Sequence, residues 1–448
     1  MEQAQARDFT RGGILGPLVR FALPVLAALF LQSLYGAVDL MVVGWFADKA
    51  DVSAVSTGAP IMMTLTNLVA SFAMGATVLL GQQIGEGNAR KGGETVGACV
   101  ALFAAVGLAL TALTVPGAGL LARVMRAPAF DLTVDYVRIC GAGTLVIIAY
   151  NLIGSVFRGI GDSATPLVTV LIACVCNIAG DLLLVAGLHM GAAGAAIATV
   201  AAQAVSVAVS LLLIRRKTLP FTLERRHIAF NGPVIRRVVR LGLPIALQDL
   251  LVGVSFLVIQ AIVNSLGVTP SAGVGVAEKV CGFIMLVPSS FMQSMSAFVA
   301  QNAGAGRYDR ARRALACGIG LSLAVGLGMA YLAFFRGEGL AGLFSRDPEV
   351  IRAAADYLRA YGIDCMLTPI FFCFIGFYNG IGMTRFVMLQ GIVSAFCVRV
   401  PVSWLMSRRV PVSLFHIGLA TPCSSALQIL MGLLCLCYVR KHVATGLC

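Results

Sequence analysis

The sequence contains one pattern twice, and the second copy follows the first by about 220 residues. The segment GQQIGEGNARKG at 81–92 matches AQNAGAGRYDRA at 300–311, and RFALPVL near the start matches RLGLPIA in the middle of the chain. A third anchor, VDYVRICG with FRGIGD, matches ADYLRAYG with YNGIGM in the same register. Long apolar segments fill the intervals between the anchors. A duplicated set of membrane helices is typical of a secondary transporter, whose substrate path lies between the repeats.

The composition is that of a membrane protein. Hydrophobic residues make up 59% of the chain, charged residues only 12%, and the mean hydropathy is +0.91. A soluble chain of 448 residues would need far more polar surface. The net charge of +13 resides in loops between apolar segments, which indicates a role in membrane orientation and not nucleic-acid binding. Nearly all of the 13 cysteines lie within apolar segments, where they are expected to pack as small apolar side chains.

The apolar segments predict an all-α integral membrane protein with twelve transmembrane helices. A helix needs about 20 apolar residues to cross the bilayer. The predicted segments are 15–46, 53–84, 95–121, 134–157, 164–187, 192–214, 238–267, 271–300, 312–335, 352–378, 384–407 and 413–439. We predict an N-terminal lobe over residues 1–214 and a C-terminal lobe over 238–448, joined by a cytoplasmic linker over 215–237.

The distribution of basic residues predicts the orientation. If the N-terminus lies inside the cell, the inner loops hold 21 of the 33 lysines and arginines and the outer loops hold ten. This excess places both termini in the cytoplasm. Six helices per lobe is an even number, so the two lobes should be related by a pseudo-two-fold axis along the membrane normal. The N-terminus lacks a clear cleavage site and is expected to begin a retained first helix.

Polar side chains within the predicted helices mark a candidate ion site. An ionised group in hydrocarbon costs a few kcal/mol or more, so it needs a partner, a proton or water. Helical spacing puts Tyr35 and Gln32 on the same face of the first helix as Asp39. By the same spacing, Asn177 shares a face of the fifth helix with Asp181, and Thr199 shares a face of the sixth with Gln203. Such hard oxygen ligands suit a small alkali cation or a shared proton.

The second copy lacks these groups. At an offset of 220–221 residues, Asp39 aligns with Ile259, Asn177 with Val398, and Asp181 with Val402. The sequence therefore predicts one cation site, in the first half, on a duplicated scaffold.

Four further charged residues lie within the predicted helices, outside this candidate site. Arg399 lies deep in the eleventh helix with Asp364 as a candidate counter-ion, while Glu278 and Lys279 are near one end of the eighth; the sequence assigns none of these four a role. Pro24 lies on the same helix as Asp39, where it removes a backbone hydrogen bond and permits a kink.

The assembled motifs resemble those of the multidrug and toxic compound extrusion family, over nearly the whole chain. They are LP-x14-D ending at Asp39, the two glycine-rich motifs, FRGIGDSATP at 157–166, and NIAGDLLL followed by GAAGAAIAT. The resemblance implies two six-helix lobes, a large central cavity, and export of organic cations in exchange for Na⁺ or H⁺, with no other cofactor.

The resemblance also implies site residues. In DinF-like members a cation site is formed by residues that match Asp39, Asn177, Asp181 and Thr199, which makes this set a candidate site for H⁺ or Na⁺. We expect the substrate cavity to be lined by Tyr35, Gln32, Asn151 and Gln203. The NorM-like branch also uses acids in helices 7 and 10, and the approximate positions here are Val252 and Thr368. That departure favours the DinF-like branch.

The resulting prediction is a monomeric antiporter of the bacterial cytoplasmic membrane that exports lipophilic organic cations, without enzymatic activity. The main alternative is a flippase for lipid-linked oligosaccharides or lipids in the same superfamily, which usually presents basic residues to pyrophosphate; Arg399 is the one feature that fits it. A major facilitator transporter is disfavoured because GEGNARKGG is a poor match to its inner-loop motif. An integral-membrane enzyme would need a cluster of catalytic residues, and the four histidines are scattered. The sequence leaves open both the natural substrate and the choice between H⁺ and Na⁺.

Overall fold

The structure is a computed structural model that describes residues 8–443, with the side chains of 440–443 excepted. The regular elements in this range are helical and none of it forms a strand, which confirms the predicted all-α class. Arg7, one of the basic residues used for orientation, and both chain ends lie outside the described residues. The predicted positions of the termini therefore stay predictions.

Twelve membrane spans follow one another along the described chain, in agreement with the prediction. Eleven are single candidates, and the twelfth is a helix pair bent by 51°, counted as one span. In chain order, spans 1 to 12 are Leu15–Phe46, Lys49–Gly85, Ala89–Val124, Phe130–Ala142 with Thr144–Gly159, Ala164–Gly187, Gly191–Arg216, Gly232–Asn264, Val268–Gly304, Tyr308–Phe335, Pro348–Gly380, Thr384–Ser407 and Leu414–Val439.

Several spans are interrupted. Span 5 is α-helical over Ala164–Asp181 and π-helical over Leu182–Gly187, and span 11 is π-helical over Ser394–Arg399 between Thr384–Val393 and Val400–Ser407. Span 8 consists of the helices Val268–Ile284 and Leu286–Gly304, and span 12 of Leu414–Gly418 and Ala420–Val443. A 3₁₀ turn at Arg225–His227 and a short helix at Gly337–Ala341 complete the elements.

The bend in span 4 lies at a glycine that a neighbouring span approaches closely. A Cβ atom on Gly143 would stand 2.5 Å from both γ-carbons of Val200 in span 6. Only a residue without a side chain fits against span 6 at this point, and the helix changes direction there.

The residues form two compact units. Unit 1 contains residues 8–12, 19–246 and 300–307, and unit 2 contains 13–18, 247–299 and the remainder from 308. In unit 1, span 5 packs on span 6 and span 2 packs on spans 3 and 4. In unit 2, span 10 is the central helix, against which spans 8, 9 and 12 pack. Its core includes Ile259, Tyr357 and Cys365.

The two copies of the glycine-rich motif meet within unit 1. A Cβ atom on Gly85, at the end of span 2, would stand 2.8 Å from the carbonyl carbon of Gln301. A Cβ atom on Gly304, at the end of span 8, would stand 2.6 Å from the carbonyl carbon of Gln82. The repeated glycines therefore let the two helix ends cross in backbone contact, because each glycine leaves room for the backbone of the other helix.

Candidate functional site

The candidate cation site is built where spans 1, 5 and 6 meet in unit 1. Thr199 on span 6 donates from Oγ1 to Oδ2 of Asp39 on span 1, at 3.2 Å. Asn177 on span 5 donates from Nδ2 to the same hydroxyl at 3.4 Å. The carboxyl group of Asp181 lies beside that of Asp39 and interacts with it. The structure thus brings together all four predicted cation-site residues.

Small residues let spans 5 and 6 come close enough to form this site. A Cβ atom on Gly180 would lie 3.0 Å from the Cβ of Ala198, the residue immediately before Thr199. Asn177 and Asp181 are four residues apart on span 5 and therefore share its inner face. Asp181 is the last α-helical residue before the π-helical turn, and π-helical insertions occur often at functional sites.

The site is buried and rich in oxygen atoms that lack hydrogen bonds. Asp181 is fully buried, Asn177 is 1% exposed and Asp39 is 7% exposed. Among the described residues, no group donates a hydrogen bond to Oδ1 of Asp39, Oδ1 of Asn177 or either carboxylate oxygen of Asp181. Buried polar atoms are normally paired, because an unpaired one costs a few kcal/mol. These oxygens are the kind of ligand that a proton or Na⁺ satisfies, so the residues present fit either ion.

Three of the four predicted cavity residues, Gln32, Tyr35 and Gln203, lie together on spans 1 and 6. Gln32 donates from Nε2 to the hydroxyl of Tyr150 at 3.2 Å, and Tyr35 lies beside both Tyr150 and Gln203. Asn151 does not join this group, because its amide donates to the backbone carbonyl of Ile147 in its own helix at 2.8 Å.

Sequence reasoning missed Tyr150, the residue that makes the contact expected near Asn151. Adjacent residues in a helix point about 100° apart, so the one-residue difference selects another face. A tyrosine in an apolar segment can either make a polar contact or pack as an apolar ring, and the sequence does not distinguish the two.

In unit 2 the structure places apolar side chains where the repeat predicts them, and it gives hydroxyl partners to Asp364, which the sequence offered only as a candidate counter-ion. Ile259 is 1% exposed, while Val398 and Val402 are partly buried. Thr368, the approximate position of the NorM-like acid on span 10, donates from its hydroxyl to Oδ2 of Asp364, one turn earlier, at 2.8 Å. No group of three or more His, Cys, Asp or Glu residues that could hold a metal ion occurs within 8–443.

A duplicated set of twelve spans with a buried acid pair defines a membrane transporter of the secondary class. The family model MatE matches residues 24–183 and 244–405, which together are well over half of the chain. The chain belongs to this family, the one its motifs resembled.

Individual relatives cover nearly the full chain at low identity. "Probable multidrug resistance protein YpnP" of Bacillus subtilis is 24% identical over 406 residues, which are 90% of this chain and 91% of that protein. "Multidrug export protein MepA" of Staphylococcus haemolyticus is 22% identical over 411 residues, 91% of this chain and 90% of that protein. The solved structure "Crystal structure of MATE in the bent conformation" is 20% identical and superposes with a TM-score of 0.90 over 99% of this chain and all of that one.

Proposed function

We propose that the protein is an antiporter that exports lipophilic organic cations in exchange for H⁺ or Na⁺. The coupling ion binds at Asp39, Asn177, Asp181 and Thr199. The observation that best supports this proposal is the buried pair of carboxyl groups of Asp39 and Asp181, which has oxygens without hydrogen bonds and no basic partner among the described residues.

The acid pair suits ion coupling for a simple electrostatic reason. Two carboxylates in contact in a medium of low dielectric constant repel strongly, and cannot both stay charged unless a cation or proton lies between them. When the coupling ion is absent, the pair attracts a cationic substrate. When the ion binds, the pair is neutralised and its hold on the substrate weakens. A difference in affinity of about 1.4 kcal/mol shifts a conformational equilibrium tenfold, so the required coupling is modest.

Span 1 is suited to carry this change. Pro24 lacks the N–H that would bond the carbonyl of Arg20, which leaves the helix free to kink there. Span 1 is the least buried of the eleven single spans, with 17% of its most apolar window buried. Few packing contacts make a segment easier to move. We therefore propose that ion binding at Asp39 changes the bend of span 1 at Pro24.

The charge distribution supports organic cations as the substrate class. The acid pair supplies negative charge in unit 1, and polar rings and amides of Tyr35, Gln32 and Gln203 lie on the same spans. At the equivalent positions of unit 2, Val402 is apolar and partly buried, and Ile259 lies in the core. The names of YpnP and MepA, which refer to multidrug resistance and export, agree with this substrate class.

The DinF-like branch is the one that the site residues favour. The complete set on spans 1, 5 and 6 is present in contact, whereas Val252 on span 7 is apolar. Asp364 on span 10 is the residue that favours the NorM-like branch, and its carboxyl group accepts hydrogen bonds from Thr368 and Ser425.

We further propose that the protein works as a monomer in the bacterial cytoplasmic membrane, with functional lobes over 1–214 and 238–448 and both termini inside. The linker and its flanking basic residues, from Arg215 to Arg240, should then be cytoplasmic. A cysteine introduced at exposed Arg225 should react with an impermeant maleimide in everted vesicles and stay unlabelled in intact cells. Labelling only from outside the cell would refute this orientation.

The test of function is ethidium efflux by purified protein in liposomes under an imposed Na⁺ gradient, and then under a proton gradient. Asp39→Asn and Asp181→Asn should each abolish gradient-driven efflux while the protein stays folded. Asp135→Asn is the matched control, because Asp135 is an exposed acid at the start of span 4. Normal efflux by both site variants would show that the buried acids are structural.

A flippase for anionic lipid-linked sugars is the second candidate, and Arg399 favours it. Arg399 is 3% exposed, however, and its guanidinium lies against Ser255 and Phe256. If the liposomes move anionic lipid-linked sugars and ignore ethidium, the flippase function replaces the antiporter.

A further inference from the structure

Span 4 in unit 1 carries a polar face that ends in an arginine. The face consists of four residues that are each partly exposed, namely Tyr150, Asn151, Gly154 and Arg158. Ile148, Leu152 and Ser155, on the other side of the helix, are buried. Ionisable side chains in membrane spans almost always face a bundle interior or a water-filled cavity and not lipid. This face therefore borders space that water or a substrate can reach.

The arginine on this face points into the membrane. Arg158 is the last residue but one of span 4, where an arginine usually extends toward the headgroups. Its side chain instead turns back along the helix: Nη2 donates to the hydroxyl of Ser155 at 2.9 Å. A Cβ atom on Gly154 would stand 3.3 Å from Nη1. The absence of a side chain at Gly154 thus leaves room for the guanidinium one turn deeper than its own Cα.

The guanidinium of Arg158 lacks a counter-anion. Among residues 8–443 no acid forms an ion pair with it, and its only hydrogen bond is the one to Ser155. Nε is enclosed by protein and is without a partner in the same part of the chain. A charge held away from bulk water without a partner costs several kcal/mol. Arg158 is therefore suited to accept an anion from outside the protein.

The fold of the repeat does not need this charge. At the offset of 221 residues that aligns FRGIGD with YNGIGM, Arg158 corresponds to Asn379, which is 1% exposed. A neutral, buried amide occupies the same place in span 10. The arginine is thus specific to unit 1, the unit that also holds the acid pair.

The guanidinium and the acid pair lie on opposite sides of one contact between spans 1 and 4. Gln32 donates to the hydroxyl of Tyr150 at 3.2 Å. Along span 4, Gly154 follows Tyr150 by about 6 Å, and along span 1, Asp39 follows Gln32 by about 10 Å. Successive spans cross the membrane in opposite directions, so these two displacements point away from each other. A carboxylate at Arg158 would therefore be well separated from the acid pair.

We propose that Arg158 is an anion subsite that binds the carboxylate of zwitterionic substrates. A planar guanidinium presents parallel N–H donors that match a carboxylate. This inference rests on the proposed export function and extends its substrate class from lipophilic cations to zwitterions. The cationic group of such a substrate is attracted to the acid pair, and its carboxylate to Arg158.

The test compares a rhodamine that has a free carboxylate with its methyl ester, which lacks that negative charge. Fluorescence polarisation on purified protein in detergent gives the Kd of each dye. Arg158→Gln should raise the ratio of the carboxylate dye's Kd to the ester's Kd about tenfold, because a charge-assisted hydrogen bond is lost only for the carboxylate. Arg158→Lys should raise this ratio less, because the ammonium keeps the charge without the planar donors. Arg138→Gln is the matched control, since Arg138 is an exposed arginine on the same span, and it should leave the ratio unchanged.

A merely structural role of Arg158 would change both Kd values by the same factor. A wild-type ratio in a folded Arg158→Gln variant therefore overturns the proposal. If that variant does not fold, a measurement on the wild type decides: benzoate should displace the carboxylate dye at concentrations at which benzamide does not, and equal displacement overturns the proposal. Ethidium has no carboxylate, so a wild type that fails to export ethidium under either gradient would refute the antiport function and not this subsite.

Discussion

The crossing of the duplicated glycines gives the clearest structural prediction. Replacing Gly304 with alanine puts a Cβ atom 2.6 Å from the carbonyl carbon of Gln82, and Gly85→Ala puts one 2.8 Å from that of Gln301. Carbon atoms in contact prefer about 3.5–4.0 Å, so either substitution must separate the two helix ends by roughly 1 Å. Overpacking of this kind costs about 1–3 kcal/mol.

The two substitutions should not be additive. Because both glycines serve one crossing, the separation forced by the first alanine makes room for the second, and the double variant should lose less than the sum of the single losses. Gly320→Ala is the matched control, since its Cβ would meet nothing within 4 Å. That substitution should be neutral or stabilise by up to about 1 kcal/mol.

The assay is thermal unfolding of purified protein in detergent. A fluorogenic thiol dye reports when buried cysteines such as Cys99 and Cys140 become exposed. Each single variant should unfold a few degrees below the wild type. Wild-type unfolding temperatures in both single variants, or strictly additive losses in the double variant, would refute the backbone crossing.

Two further predictions concern single hydrogen-bonded groups. Thr199→Ala removes the donor to Asp39 and the acceptor for Asn177, so the ion concentration for half-maximal efflux should rise about 5- to 10-fold. Thr199→Ser keeps the hydroxyl and should stay near the wild type. An unchanged ion concentration for half-maximal efflux in the alanine variant would contradict the site. Lys217 pairs with Asp162 at 2.8 Å, with the two side chains 30% and 4% exposed. Lys217→Met should cost about 1–3 kcal/mol, because the buried carboxylate loses its counter-cation and keeps only the donors of Ala164 and Thr165. Lys217→Arg should lose less in the same thermal assay, and equal unfolding temperatures for all three proteins would show that the pair adds no stability.

The membrane spans were predictable because length and hydropathy alone determine them. The predicted 164–187 matches span 5, Ala164–Gly187, and most other errors are a few residues at span ends. The break of span 4 at Gly143 was not predictable, because it depends on Val200 in a span about 57 residues later. No local pattern in the sequence reports such an approach.

The candidate site was predictable to the extent that polar residues are rare in apolar spans. Asp39 and Asp181 stand out in hydrocarbon, and their mutual contact follows from the family resemblance. Asp364 was noted only as a candidate counter-ion of Arg399, and its hydroxyl partners were not predicted because they depend on which helix faces converge in unit 2. The comparison with the NorM-like branch pointed to Thr368, one helical turn away from the acid.

The most direct test of the central claim is competition between the coupling ion and a cationic substrate at equilibrium. Ethidium fluorescence on purified protein in detergent gives its Kd at a series of Na⁺ concentrations and pH values. Saturation with the coupling ion should raise the Kd about tenfold or more in the wild type, and the Asp39→Asn/Asp181→Asn variant should show a Kd that neither Na⁺ nor pH changes. A wild-type Kd that is independent of both ions would contradict the account, because the buried acid pair would then not couple ion and substrate.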